Sequence, residues 1–284
     1  MKLAFAAAGC LLATPASAQI DYTLSFEPGG DEWRVEARLA GRGEASLDFW
    51  IPLWTPGAYH AAEYGRFVQE LAAFDDQGAR LAVERESPSH FVVRGVEKAE
   101  WIVLSYTAEP ISTGLFTNDV IDVESNRITD AYAYVNPVSL FGFVPARAQE
   151  PVRLTLRLPD GWQAATVLER DVEGRYLAES YYRFEDSPLL FAPRLESARF
   201  EVEGKPHTVT VYGRDAEDAQ AIADGCKRIL IAIVPGSDGN VTEADLRALG
   251  VTVNMDQGAL QGRNFGSVKK NGDITAIDVD AIMN

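Results

Sequence analysis

Histidine, cysteine and basic side chains are scarce in this sequence, and each shortage closes off a class of function. The 284 residues hold three histidines, His60, His90 and His207, and no His-Glu-x-x-His, so the helical ligand pair of a zinc peptidase is not present. No Gly-x-Ser-x-Gly elbow marks a serine nucleophile, and no Gly-x-Gly-x-x-Gly follows a strand to cradle a nucleotide. Lys and Arg total 26 against 42 Asp and Glu, a net charge of -16. That balance argues against nucleic acid, whose affinity comes from basic residues displacing counterions, and against an anionic membrane surface. Apolar runs are short: Leu3 to Ala13 falls well below the roughly 20 residues a membrane span needs, and no later run is longer.

The amino terminus nonetheless has a pattern of its own. A positive start at Lys2, the apolar run, and the small residues Pro15-Ala16-Ser17-Ala18 read as a secretory signal peptide cut after Ala18, so a secreted or periplasmic protein is expected. Cys10 lies inside that leader behind a short apolar run that lacks the upstream Leu of a lipid-attachment site. Its removal leaves Cys226 alone, which excludes an intrachain disulfide and requires the core to hold the fold.

From residue 19 to 213 short alternating runs are separated by Gly and Pro. Tyr22, Leu24 and Phe26 alternate, then Trp33, Val35, Ala37 and Leu39 alternate against Arg34, Glu36 and Arg38, the period of a strand with one wet face. Leu47–Leu53, Phe91–Arg94, Trp101–Tyr106, Val152–Leu158, Tyr181–Phe184, Arg199–Val202 and Thr208–Tyr212 extend the series. The fold class predicted is mainly β, an antiparallel β-sandwich-like domain over 19–213, followed by a helix over 214–234 and a small tail over 235–284. The helix carries acids in its first turn and an apolar stripe of Ala219, Ile222, Cys226, Ile229 and Leu230, which makes Cys226 a packing residue.

The tail contains a repeat: Asp238 to Leu249 aligns with Asn271 to Ile282, each a Gly turn, a β-branched residue and a Thr N-cap, predicting two loop-then-helix units. The same copies resemble the later half of a dockerin-type calcium loop, with Asp238, Asn240, Asp245, Asn271, Asp273 and Asp278 as the calcium candidates. Val234, Gly236, Ser267 and Lys269 occupy the early positions, where a lysine repels the ion, so capped helices without metal are favoured.

The densest run of aromatic, turn and charged residues is Ile51 to Phe67. Within it, Trp54-Thr-Pro-Gly-Ala-Tyr59 with Gly65-Arg66-Phe67, and then Ala73-Phe-Asp-Asp-Gln-Gly78, resembles the amino-terminal domain of the glycyl aminopeptidase family of zinc metallopeptidases. Tyr134-Val-Asn-Pro137, Leu158-Pro-Asp-Gly-Trp162 and Asp186-Ser-Pro188 are similar to later landmarks of that domain, in the same order, and the likeness covers about Tyr22 to Leu230. The resemblance implies a β-rich domain that precedes a thermolysin-like catalytic domain carrying the zinc ligands, and often a PDZ domain. No catalytic residue carries over, because the zinc motif has no counterpart here, and zinc is expected only where a catalytic domain is supplied elsewhere. The reading is a non-catalytic protein that binds a peptide or protein partner through Trp54, Tyr59, Arg66, Tyr134 and Asn136. Trp54 and Tyr59 offer stacking area and Arg66 a carboxylate partner. In the structural alternative Trp54 and Tyr59 anchor the core and Arg66 is a buried salt-bridge partner. Two further readings are a split portion of a zinc aminopeptidase and a tail acting as a degenerate dockerin-like assembly module.

Overall fold

A computed structural model describes residues 20–54, 62–111, 126–202, 204–213, 216–233, 252–254, 265–270 and 273–278, with backbone alone for 228–233 and the last three stretches. The signal-peptide prediction therefore lies outside the described residues. In chain order the strands are β1 (Ile20–Phe26), β2 (Trp33–Ala40), β3 (Ser46–Trp50), β4 (Val68–Asp75), β5 (Arg80–Ser87), β6 (His90–Arg94), β7 (Trp101–Ala108), β8 (Asn126–Ile128), β9 (Ala133–Val135) and β10 (Val152–Arg157). They continue with β11 (Gln163–Ala165), β12 (Glu169–Arg170), β13 (Tyr176–Ala178), helix α1 (Tyr181–Glu185), β14 (Leu189–Ala192), β15 (Leu195–Val202), β16 (Lys205–Tyr212), helix α2 (Ala216–Ile233), β17 (Thr252–Asn254), β18 (Phe265–Lys270) and β19 (Asp273–Asp278). The chain divides into two compact units, residues 1–161 with 166–190, and residues 162–165 with 191–284.

The first unit is built on a ten-stranded sheet of order β12-β13-β10-β1-β2-β7-β4-β5-β6-β3. Alternation in the sequence becomes alternation in burial: Trp33, Val35, Ala37 and Leu39 of β2 are buried while Arg34, Glu36 and Arg38 are exposed. The pairings are antiparallel except β1 with β10, which run parallel from Ile20↔Val152 to Ser25↔Arg157. The sheet curls on itself. A register shift between Gln69 and Ala72, with Glu70 at φ 49°, bends β4. Phe49 of β3 then meets Tyr106 of β7, ring centroids 6.2 Å apart, although three strands separate them in the sheet order.

Between the two halves runs an irregular segment, Asn136 to Val144, whose Val138, Leu140, Phe141 and Val144 are buried. Buried backbone away from a ladder needs other partners. Three buried tyrosines supply them. Tyr106 Oη donates to Leu140 O at 3.0 Å and accepts from Gly142 N at 3.2 Å, Tyr181 Oη donates to Phe141 O at 2.6 Å, and Tyr22 Oη donates to Gly142 O. Burial pushes the Tyr22 and Tyr181 phenols far above the usual tyrosine range and raises Tyr106, so all three remain protonated donors. Tyr22 stacks on Phe184 at 5.2 Å, Phe141 stands edge-on to both, and Tyr181 packs against Phe184. Gly142 is obligatory there, since a Cβ would sit 2.4 Å from Phe49 and 2.7 Å from Ile51.

In the second unit β15 and β16 pair from Leu195↔Tyr212 to Val202↔Lys205, and α2 covers them through fully buried Ala219 and Ala223, packed with Ala198, Phe200, Val209 and Val211. The helix forms where predicted, but its stripe is narrower. Ile222 is exposed at the edge of the face and Cys226 is half-buried, because alanines one turn apart make the closest approach.

Two local expectations are corrected. Tyr181–Phe184 is helical, not extended: Ser180 Oγ caps it by accepting from Arg183 N at 3.1 Å, and the helix turns Tyr181 and Phe184 inward to the tyrosine cluster. The second tail repeat is not a loop followed by a helix. Asp273–Asp278 is a strand paired with β18 from Lys270↔Asp273 to Phe265↔Asp278, consistent with its β-branched content and the two-residue Asn-Gly spacing that favours hairpins. The first repeat lies outside the described residues.

Tyr106→Phe should lower stability by about 1–3 kcal/mol, because Leu140 O and Gly142 N both lose their buried partner. Gly142→Ala should cost at least as much by overpacking, about 1–3 kcal/mol or more. Urea unfolding of the full chain followed by tryptophan fluorescence checks both.

Candidate functional site

The sequence-predicted binding residues fall on two parts of the first unit. β3 runs into Leu53, whose carbonyl accepts from Ala62 N at 2.8 Å and Glu63 N at 3.1 Å, closing the segment between them; Tyr59 lies within that segment, outside the described residues. A 3-10 turn over Tyr64–Phe67 follows, entered through Glu63 at φ 49°. Trp54 stands before the closure, 49% exposed, and Arg66 is exposed in the turn with its guanidinium 4.9 Å from the Phe67 ring centroid. Trp54 is thus no core anchor. Arg66 has no carboxylate partner among the described residues, so the buried salt bridge is also ruled out.

The turn is held by Arg85, a residue with no local motif to single it out. Its Nη2 donates to Gly65 O at 2.7 Å and Pro88 O at 3.0 Å, with its guanidinium over Phe91. Gly65 presses so closely on Pro88 and Ser89 that a Cβ would lie 2.3 Å from the Pro88 carbonyl oxygen.

Tyr134 and Asn136 lie on β9 and the turn after it. Tyr134 is partly buried, which raises its phenol above the usual range. The Asn136 carbonyl ends a buried polar network: it accepts from Ser139 Oγ at 2.7 Å, Ser139 Oγ accepts from Asn126 Nδ2 at 2.9 Å, and Asn126 Oδ1 accepts from Trp33 Nε1 at 3.0 Å and Ile111 N at 2.9 Å. The backbone of Asn136 is therefore tied to the core, and no hydrogen bond or ion pair joins Arg66 to Tyr134 or Asn136 among the described residues.

A second feature went unnoticed in the sequence. An open groove of about 450 Å³ runs between β3 and the Val144–Ala146 stretch, with Glu44, Asp48 and Trp50 on its rim. Trp50 stacks on His90 at 4.0 Å, and His90 bonds Asp48 Oδ1 through Nε2 at 2.8 Å and approaches Glu86 through Nδ1 at 3.4 Å. Behind the groove lies Arg147, only 2% exposed, which donates to Ala40 O at 2.8 Å and to both Glu44 oxygens at 2.6 Å. No signal in the sequence joins Glu44 to Arg147 across 103 positions.

Among the calcium candidates, Asp273 and Asp278 begin and end β19; Asp238, Asn240, Asp245 and Asn271 lie outside the described residues, as does His60.

Residues 21–193 match the Peptidase M61 N-terminal domain, and the chain belongs to that family. An aminopeptidase N family protein from Idiomarina loihiensis shares the fold, with a TM-score of 0.65 and 21% identity over 76% of this chain and 36% of that one. An M1 zinc metallopeptidase from Deinococcus radiodurans matches at TM-score 0.40 and 13% identity, over 80% of this chain and 56% of that one. The chain thus spans about a third and just over half of the lengths of these two proteins. No curated protein matches the sequence.

Glu44→Ala should destabilise the first unit by about 3 kcal/mol, since it strands the buried Arg147 charge, whereas Glu44→Ala combined with Arg147→Met should recover much of that loss. A double-mutant cycle in urea measures it. At the end of α1, burial first and Asp186 second push the Glu185 carboxyl up to about 7, so its neutral form is favoured in the fold. Its contribution to stability is complete below the unfolded carboxyl range near pH 4.5 and is lost as pH rises through about 7. Glu185→Gln should therefore flatten the decline in stability between pH 4.5 and 8, read from urea midpoints across that range.

Proposed function

We propose that this chain is a secreted, non-catalytic protein built on an M61 amino-terminal domain, which works by holding a peptide or protein partner. The observation that carries the reading is the family match over residues 21–193 in a sequence that contains no His-Glu-x-x-His. Export rests on the amino-terminal pattern of Lys2, the apolar run and Ala18; no helix among the described residues is long and apolar enough to cross a membrane.

The contact surface we assign is Trp54 and Arg66 with Tyr59, which lies outside the described residues, and with Tyr134 and Asn136 as secondary contacts. Its support is that Trp54 is half-exposed and Arg66 has no carboxylate partner among the described residues, which suits a stacked side chain and a free carboxylate on the partner. A second reading makes the chain one portion of a zinc aminopeptidase whose catalytic part is separate, favoured by its spanning 36% of the Idiomarina loihiensis protein.

Purified mature protein should contain no stoichiometric zinc and release no glycine from amino-terminal glycine peptides. Robust turnover with one bound zinc overturns the main reading. Trp54→Ala and Arg66→Ala should each weaken a peptide ending in a free carboxylate by about tenfold or more in fluorescence anisotropy, while stability moves by no more than about 0.5 kcal/mol because both side chains are exposed.

A further inference from the structure

The ten-stranded sheet ends at β3, which pairs with β6 on one side only, from Ser46↔Arg94 to Trp50↔His90. On its other side a single bridge forms: Trp50 N donates to Phe143 O at 2.8 Å and Phe143 N donates to Trp50 O at 2.7 Å. Residues of a strand alternate in which edge their N–H and C=O groups face, so Asp48 and Ser46 face the same way as Trp50. The next antiparallel position opposite Asp48 belongs to Pro145. Proline has no N–H to give, and at Pro145 the chain turns into a 3-10 helix, Pro145–Arg147, so the ladder stops after one rung. The backbone groups of Asp48 and Ser46 on this edge have no partner among the described residues, and they face the groove of about 450 Å³ that opens where the ladder stops.

We propose that this edge is a strand-addition site, at which an extended peptide segment carrying Lys or Arg pairs with β3 at Ser46 and Asp48 and lies in the groove against Val144–Ala146. Open ladder groups supply main-chain bonds and the groove supplies room for alternate side chains, the two components of strand-addition recognition. Charge fixes the partner's chemistry. The groove's charged lining is Glu44 and Asp48, with no Lys or Arg in it, and Glu86 approaches the His90 that binds Asp48. Glu44 is held by Arg147 and Asp48 Oδ1 by His90, which leaves the second carboxylate oxygen of Asp48, 56% exposed, for an incoming cation. The chain's net charge of -16 steers the same class of partner. The inference goes beyond the Trp54 and Arg66 surface, since it names a second surface and a partner of opposite sign to the carboxylate that Arg66 would take.

The test is amide hydrogen exchange on the full chain, with and without the blocked peptide acetyl-Lys-Val-Lys-Val-Lys-amide and its Glu counterpart. The lysine peptide should slow exchange at the Asp48 and Ser46 amides by about tenfold or more at saturation, and the glutamate peptide should not. Asp48→Asn should weaken the lysine peptide by about fivefold, and methylating the peptide nitrogens that face β3 should abolish binding. Unchanged exchange at both amides while the peptide still binds overturns the edge assignment and leaves the peptide-binding reading standing. Equal protection by both peptides overturns the charge assignment. A dimer in sedimentation with these amides protected in the absence of peptide shows a second copy of the chain on the edge, and overturns the proposal. Failure of the lysine peptide to bind overturns the proposal and leaves the Trp54 and Arg66 reading standing, since an amidated peptide lacks the terminal carboxylate that Arg66 would take.

Discussion

Three buried hydroxyls meeting one stretch of irregular backbone are the constraint on which the first unit depends. Leu140, Phe141 and Gly142 lie inside the curl of the sheet, where their carbonyls have neither water nor a ladder to satisfy them. Tyr106, Tyr181 and Tyr22 reach them from β7, α1 and β1, three elements distant in sequence, so each element's placement is checked against the others. An apolar residue in place of any one tyrosine would bury a carbonyl without a partner, which costs more than the hydrogen bond itself contributes. Desolvation, which raises all three phenols, also keeps them in the donor form at any physiological pH.

The same segment determines how the sheet ends. With Gly142 pressed onto Phe49 and Ile51, Phe143 is delivered beside Trp50, and the one-rung bridge follows. Phe143 is also stacked on Tyr181 at 4.3 Å, so the bridge is an extension of the clamp. Pro145 then withdraws the chain, and Arg147 anchors the withdrawal by reaching Ala40 O and Glu44 from a buried position. An edge strand left open is ordinarily an aggregation liability, blunted by charge, proline or cover. Here proline and charge are both present, yet they leave a defined groove rather than a sealed edge, and that combination is what gives the edge a selective character.

Much of the class was legible in the residues. Strict alternation over Trp33 to Leu39 specifies a half-wet strand, and β1, β7 and β10 were visible for the same reason, while β6 showed as a short apolar run, Phe91 to Val93. The landmark residues from Trp54 to Pro188 pointed to the family that the match over 21–193 bears out. What escaped was set by tertiary structure. β4 carries consecutive exposed Gln69 and Glu70 at its bulge, which erases the period. Tyr181 to Phe184 has the composition of a strand, and only the Ser180 cap and the pull of the aromatic cluster make it helical. The groove was invisible because it comes from a mismatch, Pro145 falling opposite Asp48, between positions nearly a hundred residues apart. Of the candidate site, the exposure of Trp54 and Arg66 follows from a turn whose support, Arg85, carries no local signature.

Binding without cleavage is the central claim, and one measurement bears on both halves of it. Purified mature protein is incubated with a mixture of peptides of defined sequence, the retained and free fractions are separated, and both are weighed by mass spectrometry. The account predicts a retained fraction of intact peptides and no shortening in either fraction. Peptides shortened by one residue from the amino end, in proportion to the protein added, would contradict it.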